Sequence, residues 1–145
     1  MEVLHENDSF IVKKSNIDGA GYGLFSKKAF KKGDKVVKLT GKRCTPSDPY
    51  YNPFHRYALE INRKGDYIDP CEVVNQCDYG MYANDANKNK KKHHFKNNVY
   101  FSYMPCRQDN GLYYVWMKAK QNIRPGDEIF VSYGKKYWNC VGDSI

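Results

Sequence analysis

The chain has 145 residues, 41% hydrophobic and 28% charged, with 24 basic against 16 acidic side chains and a formal net charge of +8. That length suits one domain with its own core rather than two, and no run approaches the roughly 20 apolar residues of a membrane span. Residues 1–8 mix acids with polar groups, without a basic segment followed by an apolar one, so no secretory signal is expected and the protein is expected inside the cell.

Along the chain, short apolar or alternating stretches are separated by glycine, proline and charge, which predicts a mainly β protein built from short strands. Strands are expected at residues 10–12, 22–25, 35–40, 57–61, 99–103, 112–120 and 128–131. Turn chemistry closes them at Lys32-Gly33-Asp34, Lys64-Gly65-Asp66, Asn110-Gly111 and Pro125-Gly126-Asp127. Val73, Val74, Cys77 and Met81 fall on one face of a short helix. The five cysteines, Cys44, Cys71, Cys77, Cys106 and Cys140, are odd in number and never two residues apart, so neither a disulfide framework nor a zinc site is expected.

Gly19, Gly21 and Gly23 alternate, letting the backbone turn tightly and approach a ligand without a Cβ in the way. A Rossmann turn needs a third glycine three positions after the second, followed by a long helix. Here that position is Leu24, and Lys31-Lys32-Gly33-Asp34 soon breaks the chain. Near the C-terminal end, Ile123-Arg124-Pro125-Gly126-Asp127-Glu128-Ile129 runs through Phe130-Val131-Ser132 into Tyr133-Gly134, with Tyr137-Trp138 close behind. By composition alone these aromatics would be core residues; their order beside the other motifs changes that.

Three segments together resemble the SET domain in its compact form without a zinc module. They are Gly19-Ala20-Gly21-Tyr22-Gly23-Leu24-Phe25, Tyr82-Ala83-Asn84-Asp85-Ala86, and the stretch from Arg124 to Gly134 that ends on the tyrosine segment. The likeness spans about residues 10–138 of a single domain, 1–145, with a basic insertion at about 87–97. It implies a β-clip of several small sheets, a C-terminal pseudoknot where the Asn84 and Tyr133 segments meet, and one or two short helices.

The same resemblance implies a protein lysine methyltransferase that uses S-adenosylmethionine and acts on a histone tail in the nucleus. Gly21, Tyr22, Gly23, Asn84, Asp85, Tyr133, Tyr137 and Trp138 would line the cofactor pocket. Tyr133 would be catalytic and Tyr57 a second channel aromatic. The lysine amine would attack the methyl in line, after losing a proton from a group whose ordinary pKa is about 10.4. Asp85 stands where the family usually has histidine, and only Cys140 follows Tyr133 in place of a cysteine-rich tail. Val131 offers no hydroxyl near the amine, which leans towards more than one methyl being added.

Two other functions are compatible with the sequence: a non-catalytic interaction domain of the same fold, and a basic nucleic-acid-binding domain. The second would use Lys88, Lys90, Lys91, Lys92 and Lys96, a run that a solvated loop also explains. Glu60, Asp66, Asp69 and Asp78 fall in the segment that, by resemblance, flanks the substrate groove, as attractors of a basic peptide or as plain surface charge.

Overall fold

The structure is a computed structural model describing residues 2–52, 59–70 and 79–133, with Tyr103 and Met104 described in backbone only. The expected helix positions Val73, Val74 and Cys77 lie outside the described residues. Met81 lies in a one-turn 3-10 helix, Gly80–Tyr82.

The described residues form nine strands: β1 (Val3–Glu6), β2 (Phe10–Lys14), β3 (Tyr22–Ser26), β4 (Lys35–Cys44), β5 (Leu59–Glu60), β6 (Tyr67–Asp69), β7 (Val99–Arg107), β8 (Tyr113–Ala119) and β9 (Glu128–Ile129). They make two antiparallel sheets, ordered β1-β2-β3-β9 and β5-β6-β4-β8-β7. The mainly β expectation holds, with two additions. β1 pairs only with β2 and is mostly exposed, so it carries no amphipathic alternation to read. β6 is three residues long, below the length at which alternation is a signal.

Period two decides what each strand buries. In β8, Val115, Met117 and Ala119 point into the core, whereas Tyr114, Trp116 and Lys118 point away. Val12, Leu24, Ile68, Val99, Ile123, Ile129 and Val131 are fully buried as well. A smaller cluster, Ile17, Ala20, Ala86 and Phe130, sits under the glycine turn.

β4 runs four residues past its expected end at Thr40 because it serves two partners. Lys35 to Gly41 pair with β8, and Lys42 to Cys44 with β6. Gly41, just past the expected end of the strand, stands at the changeover. A Cβ there would collide with the backbone oxygen of Asp69, so the glycine is what lets β6 approach.

The two sheets are joined where residues 130 and 131 pass between two other segments. Phe130 bridges Asn84 and Val131 bridges Val99, both in parallel sense. The Val131 amide donates to the Asn84 carbonyl at 2.8 Å, and the Asn98 and Val99 amides donate to the Phe130 carbonyl at 3.0 and 3.1 Å. This is the expected meeting of the Asn84 and Tyr133 segments.

Candidate functional site

The glycine turn is closed by the Ser15 amide donating to the Gly21 carbonyl at 2.8 Å and the Ala20 amide to Ile17 at 3.2 Å. Gly21 and Gly23 do different work. Gly21 has a φ of +70° and no atom within 4 Å of where a Cβ would sit, so it offers an open backbone edge. Gly23 is buried, and a Cβ there would strike the Glu128 carboxylate. The missing side chain at Gly23 therefore makes room for a protein group rather than for a ligand. Tyr22 between them is exposed, its hydroxyl donating to Glu2 Oε1 at 2.8 Å.

Glu128 is a charged side chain in the interior, 4% exposed. Its Oε2 accepts from Ser15 Oγ at 2.6 Å and its Oε1 from the Asn16 amide at 2.8 Å. Burial pushes its pKa above the ordinary carboxylate value, partly offset by hydrogen bonds from Ser15, Asn16 and Asn84. The carboxylate thus ties the loop before the glycine turn to the closing strand and to Asn84.

Asn84 is half-buried and donates through Nδ2 to the Tyr22 carbonyl at 2.9 Å, joining two of the three sequence motifs. Tyr133 brings in the third. Its hydroxyl donates to the Ala83 carbonyl at 2.8 Å, and its amide donates to Asp85 Oδ2 at 2.8 Å. Asp85 is 1% exposed. Its other oxygen accepts from the Asn87 amide at 2.8 Å and from Asn97 Nδ2 at 3.3 Å. Both carboxylate oxygens serve the fold, so a ligand contact at this position falls to the backbone.

Gly21, Tyr22, Asn84, Asp85 and Tyr133 therefore come together, with Gly23 behind them. Tyr57, Gly134, Tyr137 and Trp138 lie outside the described residues, as does Asp78. Of the acids considered for a basic peptide, Asp66 is corrected. It is buried and bonded to Arg43 Nη2 at 2.6 Å and Asn62 Nδ2 at 3.0 Å, which holds its pKa below the ordinary value. Glu60 is exposed and Asp69 half-buried.

The basic insertion is an ordered turn with Lys90, Lys91, Lys92 and Lys96 exposed to solvent, as the solvated-loop reading expects. Asn89 takes a left-handed φ of 51° and donates to the Asp18 carbonyl at 2.6 Å, beside the glycine turn. His93 Nε2 bonds the Lys88 carbonyl at 2.7 Å, and the Phe95 ring lies 5.5 Å from that of Phe130.

Sequence reasoning passed over Glu128, Ser15 and Asn98. Asn98 donates to the Glu128 carbonyl at 2.9 Å and accepts from the Phe130 amide at 2.8 Å, standing in for a strand neighbour. Glu128 and Ile129 are both buried in a two-residue strand, where alternation would expose one, so the sequence pattern carried no signal for the buried acid.

The donor set suits a zwitterionic amino acid carrying a sulfonium. It combines an open glycine backbone, a neutral amide, a phenol and peptide carbonyls, with no lysine or arginine among the groups bonded together there.

A family model described as the SET domain matches residues 21–134. Among solved structures, a Plasmodium falciparum protein whose histone methyltransferase assignment is provisional aligns with a TM-score of 0.60 at 20% identity. The alignment covers 92% of this chain and 99% of that one. A humanized mutant of the Chaetomium thermophilum Polycomb Repressive Complex 2, bound to an inhibitor, aligns with a TM-score of 0.58 at 21% identity, over 89% of this chain and 15% of that one. At these identities the likeness is one of fold. No curated protein matches the chain in sequence.

Proposed function

The chain belongs to the SET domain family, and from that premise we propose that it is an S-adenosylmethionine-dependent protein lysine N-methyltransferase acting on a histone tail. The observation that carries this reading is the junction of three motifs distant in sequence. Tyr133 Oη bonds the carbonyl of Ala83, the residue before Asn84, and Asn84 Nδ2 bonds the carbonyl of Tyr22 in the glycine turn.

Gly21, Asn84 and the backbone at Asp85 would hold the cofactor, which when bound supplies a methyl group on a positively charged sulfur. The residues of the chain do the positioning. Because the Tyr133 phenol gives its proton to Ala83, its oxygen keeps lone pairs with which to accept an N–H from a lysine amine and orient it. The amine must be neutral to act as a nucleophile, since its ammonium form, with a pKa of about 10.4, has no lone pair. No strong base is assigned to remove the proton. Holding the amine at a fixed place and angle is worth up to roughly 7–11 kcal/mol of barrier in well-oriented reactions.

The Asp85 carboxylate fixes the backbone of Tyr133, although its departure from the family's usual histidine is also what motivates the non-catalytic alternative. Glu60 and Asp69 are the described acids left to attract a basic tail, and a nuclear location is proposed along with that substrate.

The test is incubation with labelled S-adenosylmethionine and core histones, with calorimetry for the cofactor. Label transfer to lysine is expected, and Tyr133→Phe should lower turnover about 100-fold while keeping the fold, at a cost of about 1 kcal/mol of stability for the lost bond to the Ala83 carbonyl. Absence of both transfer and cofactor binding would refute the proposal.

A further inference from the structure

We propose that the outer face of strands β4, β8 and β7 is a docking surface for single-stranded RNA. The registers place the side chains of this face in three cross-strand rows. Lys35, Lys118 and Tyr100 form the first and Lys38, Trp116 and Ser102 the second; in the third, Tyr114 and Cys106 stand in line with Thr40, which is buried. No carboxylate stands in any row. Tyr100 is 45% exposed, and Tyr114, Trp116, Lys118 and Ser102 are half-buried.

The lysines here rest on rings rather than on acids. Lys38 Nζ lies 4.7 Å from the Tyr114 ring centroid and 5.3 Å from that of Trp116, and Lys35 Nζ lies 5.4 Å from Trp116. The three salt bridges among the described residues involve none of Lys35, Lys38 or Lys118. Positive charge interleaved with aromatic faces is the chemistry of single-strand binding, in which bases stack on rings and cations meet the phosphates. A sheet face is also a known way to present several stacking rings to unpaired bases. The long side chains of Lys35 and Lys38 can swing from the rings to a phosphate.

The Lys88–Lys96 turn offers a contrast. It has five lysines but one ring, Phe95, which is 37% exposed and in contact with Phe130 and both neighbouring histidines, against three rings on the sheet face. RNA rather than DNA is favoured because Ser102 and Tyr100 place two hydroxyls among the rings, where a ribose 2′-hydroxyl can both donate and accept.

The test is fluorescence anisotropy of a labelled ten-residue oligouridine titrated with the full chain, without S-adenosylmethionine. Saturable binding is expected. Its log affinity should fall with log salt at a slope of about 2, from three neutralised phosphates at roughly 0.7 each. Trp116→Ala should weaken binding by at least about fivefold, whereas Trp116→Phe, which keeps a ring, should retain most of it and guards against misfolding. Replacing Lys35, Lys38 and Lys118 by Gln should flatten the salt slope, and the same change at Lys90, Lys91 and Lys92 should leave affinity unchanged. No saturable binding at low salt would overturn the proposal. Equal affinity for oligothymidine, tighter binding of duplex DNA, or loss of binding only in the Lys90, Lys91 and Lys92 variant would do the same. Binding is read without methyl transfer, so this proposal and the methyltransferase reading can fail separately.

Discussion

Asp85 holds three segments at once: the Tyr133 amide, the Asn87 amide and the Asn97 side chain all donate to its carboxylate inside the protein. Removing a buried, charged acceptor leaves those donors unpaired. Asp85→Ala should therefore lower unfolding free energy by about 3 kcal/mol, measured by chemical denaturation. Asp85→His, which restores the family's commoner residue, should also destabilise, because an imidazole cannot supply two acceptor oxygens to three donors. A histidine variant as stable as the parent would show that the carboxylate is dispensable.

Glu128 makes a different prediction. Its folded pKa lies above the ordinary value of 4.5, so the native state holds the proton more tightly than the unfolded chain does. The stability this contributes is present below the ordinary value and is lost as pH rises through the folded pKa. Thermal melts across that window should show the parent losing stability with rising pH, relative to Glu128→Gln, which has nothing to titrate; parallel curves would contradict this. Asn84 and Tyr133 were legible in the sequence because their neighbours form ordered motifs. Glu128 was not, since an acid in a short strand looks like a surface residue until its partners are known.

At the scale of elements, the strands that alternate cleanly could be read from the sequence, and β8 lies within the predicted span. The changeover in β4 could not, because nothing at Gly41 in the sequence shows that it is the point of closest approach to β6. Gly80 has the same role in the 3-10 helix Gly80–Tyr82, which packs on β4. A Cβ there would collide with the Lys38 carbonyl and lie 2.8 Å from Met117 Cε. Gly80→Ala should cost about 1–3 kcal/mol, seen as a lowered denaturation midpoint with an unchanged slope. A neutral result would mean that the helix can slide away from the strand.

At the scale of the whole molecule, residues 130 and 131 belong to the bonding of both halves, so neither sheet has an independent boundary there. Unfolding followed by far-UV dichroism and by tryptophan fluorescence should give coincident transitions. Separate midpoints would show that the β1-β2-β3-β9 sheet melts on its own. Charge is less evenly shared than cohesion. Five of the 24 basic residues lie at positions 88–96, a stretch without acids, leaving 19 basic against 16 acidic elsewhere, or +3 of the net +8.

The passage of residues 130 and 131 between the Asn84 and Val99 segments also sets an order of events during synthesis. β2 and β3 are neighbours in sequence and can pair as soon as both have left the ribosome, but the far edge of β3 receives β9 only about a hundred residues later. At roughly 5–20 residues per second, that edge stays open for several seconds, with its unpaired backbone groups able to capture another chain. The nascent protein is therefore most vulnerable to aggregation just before its closing strand arrives, and a chaperone that covers β3 during that interval would help it most.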